Sequence, residues 1–138
     1  MIGRRVVLAD DLPPVLSTVA KLLEGQFEVA AMASDGQTAL HATLAMDPDL
    51  VVLDISMPGM SGIEVARELK KRGNRAGIVF LTVHEDLDIL AACVDAGGLG
   101  YVVKLQLETD LIQAMNAALA GKKFASHFPS LPLSPNGN

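Results

Sequence analysis

Asp10, Asp11, Asp54, Thr82 and Lys104 close or follow short apolar runs, "RVVLADD", "LVVLD", "GIVFLT" and "YVVK". Desolvating a carboxylate at the end of such a run is costly, so the placement needs a reason. If the runs lie side by side, three carboxylates share one small volume. At about 5 Å and an effective dielectric near 20, each pair then costs roughly 3 kcal/mol. Either some of the groups stay protonated or a cation sits among them. Oxygen ligands with room left for water and phosphate suit Mg²⁺, held by Asp11, Asp54 and one backbone carbonyl. Thr82 adds a hydroxyl, and Lys104 adds a point charge that pairs with carboxylate or phosphate. Together these groups have the makings of a phosphoryl-transfer site. Asp54 is its best nucleophile, able to become an acyl phosphate.

The elements that must position these residues alternate along the chain. Runs rich in branched residues occur at 5–10, 27–33, 50–54, 77–82 and 101–104, and 6–9, 51–53 and 78–81 are continuously apolar. Such strands are buried on both faces, as in a parallel sheet covered by helices. Between them lie helical spacings. Val15, Val19, Leu22 and Leu23 precede Gly25, and Leu40 and Leu44 follow a capping-box pattern from Ser34 to Gln37. Ser61 and Glu64 form a second such pattern, and that helix ends in "KKR" before Gly73. Cations there complement the negative end of the helix dipole, which explains the strongest basic run without nucleic acid. The fourth helix carries Leu87, Leu90, Ala91 and Val94 at i, i+3, i+4, i+7, and the fifth carries Leu107, Leu111 and Met115. Five strand–helix pairs predict an α/β fold, a doubly wound five-stranded parallel sheet of order 2-1-3-4-5 with helices on both faces. In such a sheet ligands bind beyond the carboxyl ends of the strands, where Asp10, Asp11 and Asp54 would lie. The pattern fails after about residue 123, and 124–138, rich in Pro, Ser and Asn, reads as a flexible tail or linker remnant.

Composition narrows the function classes. A net charge of −5 argues against a nucleic-acid-binding role, because phosphate contacts need clustered Lys and Arg. Cys93, the one cysteine of 138 residues, excludes an internal disulfide and reads as an inert core thiol. No run is long enough to span a membrane, and "MIGRRVVLADD" lacks a secretory pattern, so the expectation is a cytoplasmic protein without membrane partners.

"LADD" (8–11), "LDISMPGMSGIEV" (53–65), "LTVHED" (81–86) and "GYVVK" (100–104) together resemble a bacterial response-regulator receiver domain. The wording is most similar to receivers that precede LuxR-type helix-turn-helix domains. The resemblance covers about residues 4–123 and implies a flavodoxin-like receiver domain over 1–123. It also implies phosphotransfer to Asp54 from a histidine kinase or phosphotransfer protein with Mg²⁺, and a possible homodimer. Carried over by position, Asp10 and Asp11 match the acidic pair, and Ser56 matches the residue whose carbonyl completes the metal site. Thr82 matches the switch hydroxyl, Lys104 the phosphate-binding lysine, and Tyr101 the aromatic that follows Thr82. The face of helix 4, strand 5 and helix 5 is then the one that switches, and the domain is a phosphoacceptor rather than an enzyme. Two positions depart from the pattern: Leu105 stands where many receivers have proline, and Val83 is bulkier than the usual small residue.

Plainer readings stand beside these. Asp10 and Asp11 could cap the first helix, Tyr101 could be a core edge, and His84 is either a tuner of acyl-phosphate hydrolysis with Ser56 or a solvated loop residue. A Mg²⁺-dependent phosphohydrolase is a rival, although Ser56 stands where an Asp-x-Asp nucleophile motif needs its second aspartate. A receiver-like binding module without phosphotransfer is another. A flavin-binding protein of the same topology is weaker, since the acidic pocket would repel an anionic cofactor.

Overall fold

The computed structural model describes residues 4–126. Six strands form one parallel sheet in the order β2-β1-β3-β4-β5-β6. They are β1 (Arg5–Ala9), β2 (Glu28–Ala33), β3 (Leu50–Asp54), β4 (Gly77–Thr82), β5 (Gly100–Val103) and β6 (Phe124–Ala125). The helices are α1 (Pro13–Leu23), α2 (Gly36–Met46), α3 (Gly62–Lys71), α4 (Leu87–Asp95) and α5 (Leu107–Leu119), with a 3₁₀ turn over Lys104–Gln106. The expected doubly wound core of five strands is present in the expected order. β6 is an addition, and it falls where the sequence reads as tail. Its two residues pair with Gly100 and Tyr101, and so short a strand leaves no alternation to read. Residues 127–138 of the expected tail, His127 among them, lie outside the described residues.

Side chains alternate along each central strand and feed two separate cores. Val7, Val51, Leu53, Phe80 and Tyr101 pack with Leu40, Val65 and Cys93 of α2, α3 and α4. Their neighbours Val6, Leu8, Val52, Leu81 and Val102 pack with Val19, Leu23, Leu111 and Met115 of α1 and α5. The same register governs the strand ends. By period two, Asp10, Asp54 and Lys104 continue the side facing α1 and α5, whereas Thr82 continues the Tyr101 side facing α4.

Helix ends follow sequence with one correction. Ser61 and Glu64 close the expected capping box on α3. On α2 the cap is Asp35 rather than Ser34: its carboxylate accepts from the Thr38 amide at 2.8 Å and the Thr38 hydroxyl at 2.9 Å. A carboxylate is the stronger acceptor for the positive end of the helix. The face of α4 also differs from expectation. Leu87 and Val94 are 63% and 41% exposed, and the helix turns Cys93 and the following Ala96 inward instead. Nearly every α4 position is apolar, so two stripes compete. The narrower one is buried, and just past the helix Gly98 sits against the Phe80 ring and the Cys93 carbonyl, where no side chain fits. Burial pushes the Cys93 thiol up to about 12, in keeping with an inert core residue.

Glycine lets α3 start directly under the end of β3. The Gly62 amide donates to the Ile55 carbonyl at 2.9 Å, and a Cβ on Gly62 would overlap the Asp54 carbonyl oxygen. Replacing Gly62 with Ala should destabilise the domain by about 2–3 kcal/mol, because backbone rather than a movable side chain is in the way. The midpoint of urea unfolding measures it, and an unchanged midpoint contradicts the close approach.

Candidate functional site

β1 and β3 are neighbours, so their carboxyl ends bring Asp10, Asp11 and Asp54 together. One oxygen from each lies within 4.8 Å of the others. Asp10 and Asp54 are buried, and Asp11 is exposed at the rim. The Lys104 ammonium reaches in from the end of β5, 2.8 Å from Asp10 Oδ2 and 3.3 Å from Asp54 Oδ2. The other oxygens are held by the backbone. Asp10 Oδ1 accepts from the Leu12 amide at 2.9 Å, and Asp54 Oδ1 accepts from the Ser56 amide at 3.2 Å. Asp10 therefore braces the loop ahead of α1, although Leu12 and not an aspartate occupies the cap position.

The structure thus gathers four of the sequence-chosen groups, Asp10, Asp11, Asp54 and Lys104, at one rim. Ser56 contributes its amide to Asp54 while its own side chain is exposed. Gly59, at φ +74°, lets the Met-Pro-Gly loop turn away beyond it. Thr82 closes β4 with its hydroxyl buried and accepting from the His84 amide at 2.9 Å. Tyr101 is turned inward, beside the Thr82 side chain, and donates its hydroxyl to the His84 carbonyl at 3.1 Å. Burial, and after it the neighbouring Cys93, pushes this phenol up to about 12. Sequence reasoning singled out the His84 imidazole, but the contacts found are those of its backbone, which joins Thr82 to Tyr101. A backbone role leaves no trace in residue type.

Charge is unbalanced in this pocket: three carboxylates face one ammonium. Desolvation first, then the nearby Asp10 charge, push Asp54 up to about 6 against the pull of Lys104 and the Ser56 amide. Burial works against charge on Lys104, but Asp10 and Asp54 outweigh it and hold the ammonium above its ordinary range. Asp10 Oδ2 is buried and is met by the Lys104 ammonium at 2.8 Å. Three carboxylates facing a single ammonium form an all-oxygen donor set that fits a hard divalent cation such as Mg²⁺.

The profile of the response regulator receiver domain matches residues 6–116. The chain belongs to that family. It is 36% identical to the nitrate/nitrite response regulator NarP of Escherichia coli over 88% of this chain and 58% of that protein. It is 35% identical to the transcriptional regulatory protein YvfU of Bacillus subtilis over 88% of this chain and 62% of that one. The receiver therefore spans about three fifths of the length of these curated relatives. Among solved structures it is similar to a LuxR-family two-component response regulator from Aurantimonas, with a TM-score of 0.84 and 33% identity over 92% of this chain and 91% of that one. It is equally similar to the isolated receiver of RcsB from Salmonella enterica, solved with the phosphomimetic BeF₃⁻, with a TM-score of 0.83 and 31% identity over 93% and 96% of the two chains. The protein is thus a receiver domain of the two-component response regulators, which act as phosphorylation switches rather than catalysts. The phosphohydrolase, flavin-binding and binding-only readings find no support.

The strained carboxylate has a signature in stability. Asp54 binds its proton more tightly in the folded chain than its ordinary value of 3.8 allows. Below about pH 3 both states hold the proton and nothing is lost. As pH rises through the interval from 3.8 to about 6, the unfolded chain releases the proton first, so folding weakens by up to about 3 kcal/mol. Chelator-treated Asp54→Asn should accordingly be more stable than the parent at pH 7.5, by on the order of 1–3 kcal/mol, and should lose that advantage by about pH 3. Parallel denaturant titrations at the two pH values check this, and a difference that does not change with pH contradicts it.

Proposed function

We propose that Asp54 is the phosphoacceptor of this receiver and takes a phosphoryl group from a histidine kinase or phosphotransfer protein. The observation that carries the reading is the convergence of three carboxylates and the Lys104 ammonium on one rim, with Asp54 strained by burial and by Asp10. A carboxylate oxygen of Asp54 attacks phosphorus, the bond from phosphorus to the donor imidazole nitrogen breaks, and an acyl phosphate results. Asp10, Asp11 and Asp54, with the Ser56 carbonyl, are the residues that would hold Mg²⁺, which when bound supplies charge neutralisation for the phosphoryl oxygens. Lys104 supplies the second neutralising charge, and the shared Asp10–Lys104 pair keeps the ammonium close to Asp54 beforehand.

A phosphoryl group on Asp54 offers acceptor oxygens to Lys104 and to the Thr82 hydroxyl. Thr82 is tied to the 83–86 loop through the His84 amide, and Tyr101 to the same loop through the His84 carbonyl. Capture of Thr82 therefore shifts the loop leading into α4, and Tyr101 follows. The face of α4, β5 and α5 changes as a population shift among existing states. No helix among the described residues is long and apolar enough to cross a membrane. We read the receiver as cytoplasmic, with its switching face open to pairing with a second copy.

Acetyl phosphate with Mg²⁺ should add one phosphoryl mass to the protein, and Asp54→Asn should remove that gain. Lys104→Ala should slow labelling by about 10- to 100-fold, the effect of losing a charge-assisted contact in the transition state. Intact-mass time courses read both. Undiminished labelling of the Asp54→Asn protein contradicts the assignment.

A further inference from the structure

A second convergence of buried polar groups lies at the outer edge of β5. β6 is bound there by the Phe124 amide to the Leu99 carbonyl at 2.9 Å and the Ser126 amide to the Tyr101 carbonyl at 2.8 Å. The next amide on that edge belongs to Val103, which is buried, and among the described residues no further strand residue is in register to accept from it. The Ser126 hydroxyl accepts from it instead, at 3.1 Å. The same hydroxyl donates to Asp110 Oδ2 on α5, at 2.7 Å. A serine hydroxyl has one proton, and Asp110 takes it, so the oxygen lone pairs are turned toward Val103. Donation to a carboxylate also makes the oxygen a better acceptor. Ser126 is itself buried.

Val103 matters because of its neighbours. It pairs with Thr82 of β4 on its other side, and the next residue is Lys104. The chain turns there into the 3₁₀ segment Lys104–Gln106, whose cap position, Val103, makes no side-chain hydrogen bond to it. The backbone from which the Lys104 side chain departs is thus fixed between Thr82 and Ser126. We propose that Ser126, oriented by Asp110, is a positioning residue for Lys104: by holding the Val103 amide it sets the backbone from which the ammonium reaches Asp10 and Asp54. The β6 segment that follows α5 is thereby mechanically joined to the phosphoryl site.

This rests on Asp54 being the phosphoacceptor, and the two ideas fail in different ways. The full chain is labelled with acetyl phosphate and Mg²⁺ alongside Ser126→Ala, Ser126→Thr and Asp110→Ala. Ser126→Ala should label about five- to tenfold more slowly, as loss of one hydrogen bond allows. Ser126→Thr, which keeps the hydroxyl, should restore the rate to within about twofold of the parent, the size of a small rotamer adjustment. Asp110→Ala should fall between them and keeps the test open if Ser126→Ala does not fold. Mg²⁺ affinity, read by titration, should not weaken, because the carboxylates that would hold the ion do not depend on Val103. Faster hydrogen exchange at the Val103 amide should accompany the slower labelling. Labelling of Ser126→Ala at the parent rate overturns the proposal, as does equal impairment of Ser126→Thr, or weakening of Mg²⁺ affinity in step with labelling. If the parent chain itself takes no label, the phosphoacceptor reading is what fails.

Discussion

Like charge in a confined volume is the constraint on which the rest of this structure depends. The carboxyl ends of β1 and β3 hold Asp10 and Asp54 where water is largely excluded, with Asp11 at the rim. Among the described residues Lys104 is the one ammonium that touches them, and it is shared, closer to Asp10 than to Asp54. Burial first, and then the Asp10 charge, drive the Asp54 carboxyl up to about 6 in spite of that ammonium. A site in this condition favours whatever brings in cationic charge. A divalent ion would relieve it by compensating the carboxylates, and a phosphoryl group, which brings further negative charge, depends on that ion and on Lys104 for its place. The fold stabilises its strained residue through α3, jammed against the Asp54 carbonyl at Gly62, and through the Ser56 amide.

Period-two register divides the labour around that constraint. Asp10, Asp54 and Lys104 extend the side of the sheet that faces α1 and α5, whereas Thr82 and Tyr101 extend the side that faces α4. Charge is thus handled on one side and its consequence can be read on the other. The backbone of His84 spans the Thr82 and Tyr101 side chains, its amide donating to one and its carbonyl accepting from the other. Because those bonds use the amide and the carbonyl, the imidazole is free to vary without breaking the connection.

Much of this was legible in the sequence, and the exceptions have physical causes. β3 and β4 were bounded correctly because both their faces are buried, so their apolar runs are continuous and end abruptly on Asp54 and Thr82. The pocket followed once strand order was known, since neighbouring carboxyl ends must converge. The face of α4 was misread because almost every position in "LDILAACVD" is apolar, so its spacing alone does not single out the buried stripe. β6 escaped notice for a different reason. A two-residue strand has no period, and its hold on β5 is finished by a serine side chain rather than a ladder.

Differences in anchoring also constrain where a displacement of Thr82 can go. α3 is closed by a full capping box and held against Asp54, and α2 is capped by Asp35 and crowded at Gly36 by Met60. Moving either helix would break a capped terminus and a backbone contact at once. α4 has an aspartate cap at Asp86, but it spans nine residues, buries Cys93 fully and leaves Leu87 and Val94 in water. Its apolar exposure gives up little when the helix shifts, since a side chain already in solvent has no burial to lose. The loop through His84 leads directly into the first turn of that same helix. The element most easily displaced is therefore the one to which the Thr82 and Tyr101 bonds lead, and an exposed apolar stripe on it makes a small rotation visible to whatever packs there.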